Sequence, residues 1–118
     1  MKKFFHAFGW ALQGIWQAFL AERNMKIHFL ATVTVIFAGW YFHVSAWQWL
    51  VLLLTIGLVL ICEMFNTAIE RVVDLCTSEY HPLAASAKNI AAGGVLIAAV
   101  IAVVIGGIIF LPYLSRIF

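Results

Sequence analysis

Between Ile27 and Cys62 the chain runs for 36 residues without an Asp, Glu, Lys or Arg. A membrane-crossing helix needs about 20 apolar residues, so this run is too long for one. It divides at HVSAWQW, His43 to Trp49, where Ser, His, Gln and two tryptophans mark a turn at a membrane interface. The pattern predicts a first span over residues 27–43 and a second over residues 47–70. A further uncharged run, Ile90 to Leu111, predicts a third span that stops at Pro112. Within it, Gly93-Gly94 and Gly106-Gly107 are expected to allow close helix packing. Ahead of the first span, Phe5, Phe8, Leu12, Ile15 and Phe19 recur at spacings of three and four, while Gly9, Gln13, Gly14 and Gln17 interrupt the remainder. That spacing predicts an amphipathic helix over residues 4–21, lying in the interface rather than acting as a cleaved signal. The expected architecture is a single all-α membrane domain, residues 1–118, with a surface helix and three transmembrane helices.

Composition sharpens this picture. The chain is 65% hydrophobic and 10% charged, with mean hydropathy +1.05, whereas a soluble domain is about half apolar and about a quarter charged. Lipid is therefore the expected solvent for most of the chain. The net charge of +2 is too small to suggest nucleic acid as a partner. Cys62 and Cys76 have no metal-type spacing and read as free thiols. His6, His28, His43 and His81 are too scattered for a metal site. Lys2, Lys3, Arg23 and Lys26 precede the first span, and Arg71 and Lys88 lie between the second and third, leaving Arg116 alone at the far side. Basic residues favour the cytoplasmic side. The N-terminus and residues 71–89 are therefore expected in the cytoplasm of a plasma membrane, with the C-terminus outside.

Only five acidic residues occur in the chain, yet Glu63, Glu70 and Asp74 fall together in ICEMFNTAIERVVDL. At about 1.5 Å per residue, the distance from Trp47 to Glu63 is roughly 24 Å of a core roughly 30 Å thick. Glu63 thus lies just inside the cytoplasmic edge of the hydrocarbon, and Glu70 lies at headgroup level. Glu63, Asn66 and Glu70 share one helical face, which Asp74 prolongs into water. A structural reading makes Glu63 interhelical glue, bonded to Asn24 or to a neighbouring helix. However, intramembrane carboxylates are costly and usually have a role. Glu22, Lys26 and Lys88 converge on the same interface. A desolvated carboxylate suits a general base. Glu22 and Glu70 suit Mg²⁺, which takes one or two carboxylates together with substrate phosphates. Lys88 suits the phosphates. These parts fit phosphoryl transfer from a nucleotide to a lipid hydroxyl, although neither a P-loop nor a kinase Gly-rich loop is present. A small oligomeric transporter or a structural membrane protein is the rival reading. A transporter would place its acids near the midplane, and here they cluster at one face.

The motifs EMFNTAIERVVD, SEYHPLA, AKNIAAG and AERNMKIH together resemble the small bacterial membrane kinases that phosphorylate diacylglycerol or undecaprenol. The resemblance covers nearly the whole chain. It implies a surface helix plus three spans, a homotrimer with active sites between subunits, and Mg²⁺ with ATP as co-substrate. By position it makes Glu63 the general base, with Asn66 beside it, and Glu22 and Glu70 the metal ligands. It places Glu79, Tyr80, His81, Lys88 and Asn89 against the nucleotide, with Lys3 and Trp10 of the surface helix near it. Asn89 stands where the family usually has Asp. His28 and HPLA resemble the undecaprenol-kinase branch, so undecaprenol is the expected acceptor and diacylglycerol the alternative.

Overall fold

The turn expected between the first two spans forms around His43, whose backbone takes the left-handed conformation (φ 54°). Ser45 then caps the next helix: its hydroxyl accepts from the Gln48 amide, and the Gln48 side chain accepts in return from the Ser45 amide. Such reciprocal caps satisfy two of the donors a helix start leaves open. The computed structural model describes all residues, 1–118. The chain is entirely helical, with α1 (Lys2–Ala21), α2 (Arg23–Tyr41), α3 (Ala46–Cys76) and α4 (Pro82–Ile117). Glu22, extended at φ −112° and ψ 121°, breaks α1 from α2. His81 caps α4, its Nδ1 accepting from the Leu83 amide, and Pro82 follows in the first turn, where a missing N–H costs nothing.

α2 and α3, and α3 and α4, pack as antiparallel neighbours. In α3 and α4 this is fixed at both ends: the Tyr113 hydroxyl donates to Gln48 Oε1 at 2.7 Å, and Lys88 Nζ meets Asp74 Oδ1 at 2.7 Å. α2 lies against α3, with Gly39 facing the Trp49 ring. α1 touches the bundle through its C-terminal end, where Ala18 is buried and Phe19 meets Phe29 edge-on at 5.5 Å. Val44, Leu52 and Ile109 form a small core near the His43 turn. Only 12 of 118 residues are buried, so most of the apolar side chains face outward, as expected where lipid or other subunits replace water.

Two expectations change. α4 does not stop at Pro112 but continues to Ile117. The proline comes near the helix end, where it removes one hydrogen bond, and Tyr113 and the Ser115 hydroxyl, which donates to the Pro112 carbonyl at 2.9 Å, hold the final turn. The glycine pairs do not pack against other helices of this chain: a Cβ at Gly93, Gly94 or Gly106 would meet nothing, and one at Gly107 only ordinary contact with Leu111. Two helices, α3 and α4, are long and apolar enough to cross a membrane. α2, the expected first span, is shorter at 19 residues. Arg23, Asn24, Lys26 and His28 occupy its first turns, leaving Phe29–Tyr41 as an apolar length of roughly 20 Å.

Candidate active site

The acidic stripe of α3 forms as its spacing requires. Glu63, Asn66 and Thr67 are buried, and Glu70 is half-buried further along the same face. Asn66 Nδ2 donates to Glu70 Oε1 at 3.5 Å, a long contact, and the Thr67 hydroxyl donates to the Glu63 carbonyl at 3.0 Å. Glu63 is the most enclosed side chain in the molecule, with no exposed surface. Neither of its carboxylate oxygens has a hydrogen-bond partner, nor has Asn66 Oδ1. Buried polar groups are almost always paired. An orphaned carboxylate beside an orphaned amide oxygen therefore marks a place shaped for something that arrives from outside the chain.

Of the two structural partners weighed for Glu63, Asn24 is exposed on the first turn of α2 and makes no bond to it, while the neighbouring helix does supply a side chain. The neighbour is His28, one turn further along: its Nε2 lies 3.6 Å from Glu63 Oε2. His28 was thus legible as a branch marker but not as the partner of Glu63. A signal was available, since folding α2 back on α3 about the His43 turn places residue 28 opposite the region of Glu63 to within about one helical turn.

Glu22 and Glu70 do come together. The break between α1 and α2 carries the Glu22 carboxyl into hydrogen-bonding reach of Glu70. Two carboxylates so close repel unless a proton or a cation lies between them. No third acid, His or Cys completes a cluster. This donor set fits Mg²⁺, which keeps water or phosphate in its remaining positions. It does not suit a metal that demands a full protein cage.

The water-facing end of the stripe is a groove of about 300 Å³ between the end of α3, the loop at residues 77–81 and the start of α4. Asp74, Glu79, Tyr80, His81 and Lys88 line it. The Thr77 hydroxyl accepts from the Glu79 amide at 3.2 Å, shaping the turn, and Tyr80 is 84% exposed. His81 is engaged as the α4 cap, which holds its ring in place. Lys88, on the exposed first turns of α4 ahead of the apolar run, has its ammonium held above the usual lysine range by its bond to Asp74. Asn89, next to it, is exposed. Lys3 and Trp10 are not brought to the site. They lie on the exposed part of α1, roughly 28 Å and 18 Å along the helix from Glu22.

Known proteins resemble this chain over most of its length. The sequence profile of the family described as prokaryotic diacylglycerol kinase matches residues 9–110. The chain is 43% identical to the undecaprenol kinase of Bacillus subtilis (strain 168), over 97% of this chain and 93% of that protein. It is 47% identical to a diacylglycerol kinase of Synechocystis sp., over 90% of this chain but 61% of that longer protein. The diacylglycerol kinase of Escherichia coli (strain K12) is 34% identical over 83% of this chain and 80% of its own length.

Proposed function

The chain belongs to the prokaryotic diacylglycerol kinase family and is a lipid kinase, and on that premise we propose that it transfers the terminal phosphoryl group of ATP to the hydroxyl of undecaprenol at the cytoplasmic face of a cell membrane. The observation that carries this reading is Glu63: a fully enclosed carboxylate, unpaired on both oxygens, at the lipid end of a stripe whose other end is a wet groove. A lipid hydroxyl approaching from the apolar side meets Glu63. A water-borne phosphate donor enters past Lys88 and the loop at residues 77–81. Glu63 accepts the hydroxyl proton as the new O–P bond forms and the bond to the leaving diphosphate breaks. Asn66 holds Glu70 through its amide and offers the substrate its free Oδ1. Lys88 keeps two ammonium donors for phosphate while Asp74 takes one. Glu22 and Glu70 would hold Mg²⁺, whose charge, when bound, neutralises the transferring phosphoryl oxygens.

The same reading makes α1 a surface helix, α2 a short span beside α3 and α4, and the assembly a homotrimer. Three features support the trimer: the distance of Lys3 and Trp10 from the site on their own chain, the glycines of α4 that meet nothing, and the outward apolar faces. In a trimer, α1 of a neighbouring subunit can bring Lys3 and Trp10 to the nucleotide.

The choice of acceptor rests on the undecaprenol kinase relative, which matches this chain almost end to end. A second reading, diacylglycerol, is favoured by the 47% identity to the Synechocystis protein. Radiolabelled ATP offered to the purified protein with undecaprenol and diacylglycerol in mixed micelles separates them. The expected result is a kcat/KM for undecaprenol at least tenfold above that for diacylglycerol. The reverse preference would move the chain to the second reading.

A further inference from the structure

A general base with no exposed surface has to be reset after every turnover. Once Glu63 has taken the hydroxyl proton, that proton has no direct path to water, and a base left protonated is spent. The only Lys, Arg or His nitrogen within 4 Å of its carboxylate is His28 Nε2, at 3.6 Å from Oε2. The two side chains differ in a way that suits a handover, since His28 is 18% exposed and Glu63 not at all. His28 also lines a groove of about 180 Å³ between α2, α3 and α4, whose only other polar side chains are Thr32 and Thr55. Both hydroxyls donate to carbonyls of their own helices. The α4 wall of that groove is Ala99, Ala102, Val103 and Gly106, and the α1 residues packed near α2 and α3 are apolar. No other ionisable side chain lines that groove, and Glu63 is the one carboxylate within 4 Å of His28.

Resting on the assignment of Glu63 as the base, we propose that His28 is a positioning and proton-accepting residue for Glu63, which clears the proton of the lipid hydroxyl after transfer. The hydroxyl proton passes to a Glu63 oxygen as the O–P bond forms. Glu63 then gives a proton to neutral Nε2, returning to carboxylate and leaving an imidazolium. The imidazolium releases its proton to water, so that both residues end as they began. Before transfer, Nε2 carries no proton and only abuts the carboxylate; it gains a hydrogen bond once Glu63 has taken the hydroxyl proton. A contact of 3.6 Å is long for a hydrogen bond, and catalytic contacts of this kind tighten once substrate is bound.

The test uses the full-length protein in mixed micelles, with undecaprenol and diacylglycerol each as acceptor. His28→Gln and His28→Ala are expected to lower kcat at least tenfold while KM for ATP and for lipid stays within twofold. Added imidazole is expected to restore His28→Ala at least threefold and to leave His28→Gln unmoved. A His28→Gln variant with kcat within twofold of the wild type would overturn the proposal. So would a loss that imidazole does not repair, which would leave His28 a purely structural group. Should both variants fail to assemble, the wild-type kcat in mixtures of H₂O and D₂O decides: a curved dependence shows more than one proton in motion, and a straight line contradicts the handover. Glu63→Gln in the same series separates the two layers, since normal turnover there removes the base itself, whereas loss of turnover there with a normal His28→Gln removes only the handover.

Discussion

Leaving a buried polar group unpaired costs about 1–3 kcal/mol, and more if it is charged, so Glu63 and Asn66, buried with unpaired oxygens, are costly residues for the fold to keep. Their burial was legible only in part. The i, i+3, i+7 spacing placed both on one face with Glu70, but the enclosure of Glu63 depends on α2, and on His28 in particular, which no local pattern reveals. The pairing of Glu22 with Glu70 was expected from residue type, and the break in the chain at Glu22 is what achieves it. Glu22→Gln and Glu70→Gln each remove one hard oxygen anion from that pair, and each is expected to raise the free Mg²⁺ needed for half-maximal activity by about tenfold or more. A titration of activity against Mg²⁺ checks this, and an unchanged midpoint in both would make the pair a structural helix joint. Asn89 sits beside Lys88, whose ammonium is shared with Asp74. Asn89→Asp adds a charge that can orient Lys88 or accept from the nucleotide, where the amide NH₂ of Asn can only donate. The expected result is a severalfold rise in kcat/KM for ATP at saturating lipid, with equal rates showing that the charge is dispensable.

At the level of elements all four helices were legible, because long uncharged runs, the three-and-four apolar spacing in α1 and the polar turn at His43 to Trp49 are local signals. The bounds of α4 were not legible. Its first turns carry Lys88 and the His81 cap, and its last pass through Pro112, held by a contact with Gln48 65 residues away in sequence. The α2–α3 contact has one tight point. A Cβ at Gly39 would lie 2.6 Å from the end of the Trp49 ring, too close for any real side chain. Gly39→Ala should therefore force the indole aside and destabilise the hairpin by about 1–3 kcal/mol, despite the better helix propensity of Ala. Gly57→Ala, where nothing lies within 4 Å, is the control and should be neutral or stabilising by about 1 kcal/mol in the single chain. Thermal or denaturant unfolding in detergent compares the two, and equal stability would mean that Trp49 yields freely.

Across the whole molecule the charge is sorted toward one end. The lipid face presents apolar side chains, one mouth gathers Glu22, Glu70, Asp74, Glu79 and Lys88, and Glu63 stands between the two environments. That sorting was legible from the sequence, since it follows from where charges stop along the chain. The place of Lys3 and Trp10 was not: the resemblance sets them near the nucleotide, yet within one chain they lie far along α1 from Glu22. The central claim is that transfer passes through Glu63, and turnover of purified Glu63→Gln tests it most directly. The variant keeps the shape of the side chain but cannot accept the hydroxyl proton. Measured beside the wild type with radiolabelled ATP, saturating Mg²⁺ and undecaprenol, it is expected to assemble normally, to bind ATP within about twofold of the wild type, and to transfer phosphate about 10²–10⁴-fold more slowly, the range spanned by general-base catalysis. Turnover within a few-fold of the wild type would contradict the account.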